Sequence, residues 1–174
     1  SILEYDAKRL LAHQFPDYFD DKLLISVTAE SDLGILPQQY PWLFKGKLVV
    51  KPDQLFGKKG KHNLVLLNAD WQAAYKFLQE NLGKQVTVGK TTGPLECFLI
   101  EPFVAHDKEY YFAITTRRDA DVLLFSESGG VDIEENWESV SSLEVPVGSF
   151  AQPAEITERL LSKLPAGERV TLAS

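Results

Sequence analysis

The stretch Leu48-Val49-Val50-Lys51-Pro52-Asp53-Gln54-Leu55-Phe56-Gly57-Lys58-Lys59-Gly60-Lys61 decides how this chain is read. Its three leading apolar residues predict a short buried strand. Pro52, with no N–H to give to a ladder, ends that strand. The run rich in glycine and lysine leads into a second apolar stretch, Leu64-Val65-Leu66-Leu67, so strand, loop and strand form a hairpin. Glycine lets a backbone approach an anion, exposed amides donate to it, and ammonium groups supply charge; the loop composition therefore suits a polyphosphate. It is not a Walker loop, because no Gly-Lys-Ser/Thr opens a helix after it, and a solvated hairpin tip accounts for the same residues. Lys51 sharpens the question. An ammonium at the end of a buried strand is costly without an anion, which is either a ligand or a carboxylate of the chain such as Asp53 or Glu101.

Working outward, Leu3, Ala7, Leu10 and Leu11 fall on one face of a helix whose other face is charged. Leu23 to Val27 reads as a strand, and Ser31-Asp32 as the cap of a short helix broken near Pro37 or Pro41. The clearest helix runs from Asp70, its cap, to Leu82, with Trp71, Ala74, Tyr75 and Leu78 as its apolar stripe and Gly83 as its terminator. Cys97 to Val104, Tyr110 to Thr116 and Asp121 to Ser126 predict three strands, paired consecutively and antiparallel. After the Gly129-Gly130 break, Asp132 to Ser142 reads as a short helix and Pro153 to Leu164 as another.

The 174 residues, 44 % of them hydrophobic and 25 % charged, describe a folded chain with a sizeable core. The net charge of −7 argues against a general nucleic-acid binder. No apolar run approaches the roughly 20 residues that a membrane-spanning helix needs. The single Cys97 excludes an internal disulfide, and with no secretory signal at the amino end a reducing cytoplasm is expected. Ser1 in place of a starting methionine, and a helix start at Pro165 that stops without a cap, are read as the limits of a piece of a longer protein. Charge is segregated: Lys45 to Lys61 holds six lysines against Asp53 alone, and Glu127 to Glu144 holds six acids with no Lys or Arg. This pattern suits an anion site in the first half, and equally a solvated lysine face.

His13, His62 and His106 are too scattered for a spaced metal site, no Gly-x-Ser-x-Gly nucleophile is present, and Cys97 reads as a small buried side chain. The Glu101-Pro102 break within Phe98 to Val104 removes an amide from a ladder. Such a strand either pairs with an adenine ring or is an edge strand with a proline bulge. Glu109 follows a turn, where a carboxylate accepts from a ribose diol or simply faces water.

Glu4-Tyr5-Asp6-Ala7-Lys8-Arg9-Leu10, the stretch 48–61, Leu99-Ile100-Glu101-Pro102-Phe103-Val104-Ala105-His106, and Phe125 to Trp137 together resemble the amino-terminal part of the ATP-citrate lyase family. The likeness covers nearly the whole chain and is closest to the smaller subunit of two-chain forms. It extends more distantly to the succinyl-CoA synthetase beta subunit. The resemblance implies an α+β chain with an ATP-grasp fold, incomplete because the C-terminal part with the metal ligands is missing. Residues 21–98 would be a first lobe with the phosphate-binding hairpin, residues 1–20 and 99–174 part of a second, and the hinge would lie near Leu99 to Val104.

By the same resemblance, Lys51, Lys59 and Gly60 hold ATP phosphates, Pro102, Val104 and the Glu101 carbonyl line the adenine edge, and Glu109 binds ribose. Lys58-Lys59 stands where many relatives carry arginines, which keeps the charge and loses the bidentate fork. The implied reaction is ATP- and CoA-dependent cleavage of citrate to acetyl-CoA and oxaloacetate through a phosphohistidine on another domain. No catalytic residue and no magnesium ligand is then expected in this chain: the Leu-Glu-x-Asn-Pro type motif and following aspartate that bind magnesium would lie beyond it. Expected partners are the rest of the subunit and a larger subunit in a hetero-oligomer, with citrate and CoA bound elsewhere and neither nucleic acid nor membrane involved. An ADP-forming acyl-CoA ligase and a non-catalytic nucleotide-binding or subunit-contact module are the alternatives.

Overall fold

The computed structural model describes residues 2–55, 64–88, 91–129 and 137–173. It divides into two compact units, residues 1–105 and 106–174. This division differs from the expected lobes in placing 1–20 and 99–105 with the first unit. The cause is local: the first helix is capped from residue 53, and the strand at 97–102 lies inside the first sheet.

The first unit is built on a four-stranded antiparallel sheet in the order β1 (Ile25–Thr28), β6 (Cys97–Pro102), β2 (Leu48–Pro52), β3 (Leu66–Ala69). Its other elements include helices α1 (Glu4–Gln14), α2 (Leu36–Gln39) and α3 (Trp71–Asn81) and the hairpin β4 (Gln85–Val88)–β5 (Thr91–Pro94). In β6, Phe98, Leu99 and Ile100 are all fully buried, so side chains that alternate between faces find cover on both. Val50 pairs with Ile100, and both belong to the core packed around Trp71, Ala74 and Leu78 of α3. Asp70 caps α3 by accepting from the Ala73 N–H at 2.9 Å, and Gly83 adopts φ +77° just beyond the helix end, as the sequence requires. The predicted helix near Ser31 begins instead at Leu36. Pro37 occupies its first turn, where a missing N–H costs nothing, rather than breaking it.

The second unit holds a three-stranded antiparallel meander of β7 (Tyr111–Thr116), β8 (Ala120–Ser126) and β9 (Ser141–Pro146). The predicted pairing of β7 with β8 is found, but β6 is not their neighbour. Its run of buried residues on both faces suits the middle of the first sheet, between β1 and β2. The third strand is β9, which begins at the last two residues of the stretch read as a short helix and runs beyond it; its alternation of buried Leu143 with exposed Ser142 and Glu144 suits a one-sided sheet. The residues read as helix from Pro153 to Leu164 form α4 (Pro153–Glu155), a wider π turn at Ile156–Leu160 and an irregular end. That segment sets Leu160, Leu161 and Leu164 against Phe125 and Leu143.

Helix α5 (Ala166–Ala173) begins after Pro165 and is fastened by Glu168, whose carboxylate accepts from Lys108 Nζ and Tyr110 Oη, each at 2.7 Å. Those hydrogen bonds hold the Glu168 carboxyl below its usual range. Gly129 lies so close to Tyr110 that an added Cβ would meet the Tyr110 carbonyl carbon at 2.7 Å, which leaves no room for any other residue.

Phe98 fills the first core with no exposed surface. Phe98→Ala is expected to lower stability by about 3–5 kcal/mol. Urea unfolding of the chain checks this, and a loss under about 1 kcal/mol contradicts the packing described.

A candidate nucleotide-phosphate site at Lys51

The period of two along β2 turns Leu48 and Val50 into the core and Lys51 to the opposite face. In the register of β2 with β6, Lys51 faces Leu99 and Val49 faces Glu101, so Lys51 and Glu101 are diagonal neighbours on that second face. Helix α1 supplies the remaining charges. Glu4 and Lys8, four residues apart, share one side of the helix and are ion-paired to each other at 2.9 Å.

The four groups close a ring. Lys51 Nζ donates to Glu4 Oε1 at 2.6 Å and to Glu101 Oε1 at 2.7 Å, and Lys8 Nζ donates to Glu4 Oε1 and to Glu101 Oε2. The side chains of Lys51 and Glu101 are only 19 % and 15 % exposed, against 34 % for Glu4. Burial alone would raise the Glu4 carboxyl, but hydrogen bonds from Lys51 and Lys8 outweigh it and hold that group below the ordinary glutamate range. Burial likewise pulls Lys51 down, and its hydrogen bonds to Glu101 and Glu4 outweigh this and raise it.

Asp53 has a different task from the one its sequence position suggests. It is 1 % exposed, and its two oxygens accept from the backbone N–H groups of Glu4 at 2.8 Å and Tyr5 at 3.0 Å. The carboxylate thus caps α1 from a distant strand end and complements the positive end of its dipole. Of the two internal partners named for Lys51, the structure selects Glu101, adds Glu4, and gives Asp53 to the helix. In the sequence Glu4 and Lys8 belong to a charged helix face and to the first stretch that carries the family resemblance, and neither marks them as partners of Lys51.

Pro102 and Val104 lie at and beyond the end of β6. Pairing with β1 ends at Ile100, so β6 runs on for two residues beside β2 alone. The strand is otherwise interior, not the edge strand considered from its proline. Val104 is strongly exposed. Glu109 belongs to the second unit, where its carboxylate meets His106 Nε2 at 2.7 Å. Lys59 and Gly60, with the rest of the loop at 56–63, fall outside the described residues. Cys97 opens β6 with its Sγ 3.3 Å from Ser26 Oγ. Among the described residues, no group of three or more His, Cys, Asp or Glu gathers as for a metal ion, and Glu4 and Glu101 are already committed to ammonium groups.

The fold is of the ATP-grasp class. A dinucleotide-forming acetyl-coenzyme A synthetase of Ca. Korarchaeum cryptofilum, only 14 % identical, shares it at a TM-score of 0.58 over 98 % of this chain and 69 % of that one. Within that class the chain belongs to the ATP-citrate synthase ATP-grasp domain family, whose model matches residues 1–174. It is 43 % identical over 167 residues to ATP-citrate synthase alpha chain protein 2 of Arabidopsis thaliana, covering 94 % of this chain and 39 % of that one. It is 41 % identical over 150 residues to the ATP-citrate synthase of Homo sapiens, covering 85 % and 14 %. The ATP citrate lyase of Methanothrix soehngenii, solved in complex with citrate and coenzyme A, is 41 % identical at a TM-score of 0.82 over 99 % of this chain and 41 % of its own. The chain thus spans about two fifths of the length of the plant and archaeal relatives.

A lowered carboxyl contributes stability above its unfolded pKa and loses it as pH falls through the folded value; a raised ammonium contributes below its unfolded pKa and loses it as pH rises through the folded one. Glu4 is therefore expected to add stability above about pH 4.3 and Lys51 below about pH 10.4. Thermal melting across the acid range checks the first: Glu4→Gln should lose less stability than the unaltered chain between neutral pH and pH 3, and parallel curves refute it. Asp53→Ala, which orphans two helix N–H groups, is expected to cost about 2 kcal/mol in urea unfolding.

Proposed function

We propose that this chain is the nucleotide-lining part of an ATP-citrate lyase subunit, an enzyme that uses ATP and CoA to cleave citrate to acetyl-CoA and oxaloacetate through a phosphohistidine carried on another domain. What supports the reading is the family match over residues 1–174, together with a largely buried Lys51 ammonium on the face of the first sheet. The 41 % identity to an archaeal lyase, against 14 % to an acetyl-coenzyme A synthetase of the same fold, favours the lyase over an acyl-CoA ligase.

In this reading Lys51, Lys59 and Gly60 contact the phosphates: the ammonium groups are point charges, and the glycine admits the backbone N–H to an oxygen. The Glu101 carbonyl, Pro102 and Val104 border the adenine where β6 has passed beyond β1. Glu109 accepts from the ribose hydroxyls. Magnesium, when bound, neutralises phosphate charge, and its ligands are assigned to segments other than this chain. The accepting histidine, citrate and CoA are likewise placed on the rest of the subunit and on a larger subunit of a hetero-oligomer, with no nucleic acid involved. No helix of the described residues is long and apolar enough to cross a membrane, and the cytoplasm is the proposed location.

In the complete enzyme, Lys51→Ala is expected to reduce ATP-dependent histidine phosphorylation roughly ten- to a hundredfold, since a charge-assisted contact is worth about 1.5–3 kcal/mol. Melting curves establish that the variant is folded, and unchanged phosphorylation with unchanged ATP affinity removes Lys51 from the site. The 174-residue chain alone is expected to bind ATP weakly, because the ring around Lys51 carries no net charge, and to cleave no citrate, because the accepting histidine, citrate and CoA are assigned elsewhere. Calorimetry with ATP and magnesium tests this, and submicromolar affinity or any turnover of citrate and CoA refutes it.

A further inference from the structure

The two ammonium groups of the ring converge on a single oxygen. Lys51 Nζ is 2.6 Å and Lys8 Nζ 2.9 Å from the same Glu4 Oε1, while on Glu101 they take separate oxygens. A lone oxygen accepting two ammonium donors is how a phosphate oxygen is held. We propose that Lys8 and Lys51 form a two-ammonium site for a phosphate oxygen of a nucleoside polyphosphate, and that the Glu4 carboxylate occupies it until the nucleotide displaces it. The proposal rests on the assignment of Lys51 to the phosphates and adds Lys8 as a second binding residue and Glu4 as an internal competitor.

Glu4 is the partner able to leave. Its side chain is the most exposed of the four at 34 %, so a turned-out carboxylate reaches water. Glu101 projects from an interior strand and is 15 % exposed. Departure of the Glu4 side chain does not require α1 to move, because its first turn is held independently by the buried Asp53. Charge favours the exchange. With Glu4 in place the ring is neutral; with Glu4 turned out, Lys8, Lys51 and Glu101 carry a net charge of +1, which attracts an anion. An internal carboxylate on the site lowers apparent affinity by the fraction of time it occupies it, so removing its charge restores affinity.

The test is calorimetry of the 174-residue chain with ATP and, separately, with inorganic tripolyphosphate, both in EDTA to exclude divalent metal. Glu4→Gln, which keeps the length and removes the charge, is expected to tighten binding of both probes roughly tenfold, and Lys8→Ala to weaken both by a similar factor. Glu80→Gln, an equal change of net charge on the exposed side of α3, is expected to leave binding unchanged. Melting curves accompany each variant, and Lys8→Gln replaces Lys8→Ala if the latter does not fold. Unchanged or weaker binding in Glu4→Gln overturns the proposal, as does no measurable binding by that variant, or binding by the Lys8 variant equal to the parent's. If Lys51→Ala weakens binding in the same series, the Lys51 assignment survives that failure; if Lys51→Ala binds like the parent, the underlying reading fails as well.

Discussion

Two ammonium groups and two carboxylates share one half-buried corner of the first unit, and the arrangement around them follows from keeping those charges matched. Removing such a group from water costs several kcal/mol unless opposite charge and hydrogen bonds replace the lost hydration. Lys51 and Glu101 have little contact with solvent, so each depends on the other, and Glu4 and Lys8 are needed for the donors and acceptors still open. This ties an amino-terminal helix to the two central strands of a sheet. Asp53, just past the end of β2, reinforces the tie by accepting both of the first N–H groups of that helix.

The same corner is where the proposed anion site is placed, in a chain with a net charge of −7. Affinity for a phosphate depends on the local field and on which donors are free to turn toward the ligand, more than on overall charge. A ring of alternating charges stores its ammonium groups in place without leaving them unpaired. In the second unit, carboxylate chemistry serves fastening: Glu168 joins α5 to Lys108 and Tyr110 at the start of the meander.

Local signals carried much of the fold. The capped helix at 71–81, the hairpin of β2 and β3, and the β7–β8 pair were legible because their stripes, alternation and caps are set by residues near in sequence. The place of β6 was not. Its sequence neighbours suggested β7 as a partner, whereas burial of Phe98, Leu99 and Ile100 on both faces required an interior position between β1 and β2. β9 was hidden among polar residues because only alternate positions of a one-sided strand need be apolar.

At the site, the sequence by itself determined that Lys51 must meet an anion, since a strand-end ammonium beside apolar neighbours has no other stable environment, and it named Glu101 among the candidates. It also determined, through the helical spacing of four, that Glu4 and Lys8 lie on one side of α1. Only the tertiary structure decided that this side faces Lys51 and Glu101, and that Asp53 caps the helix instead of pairing with the lysine. The physical reason is distance along the chain: residues 4, 51 and 101 are brought together by sheet register and helix docking, which depend on the packing of the whole unit and leave no mark in any short window of sequence.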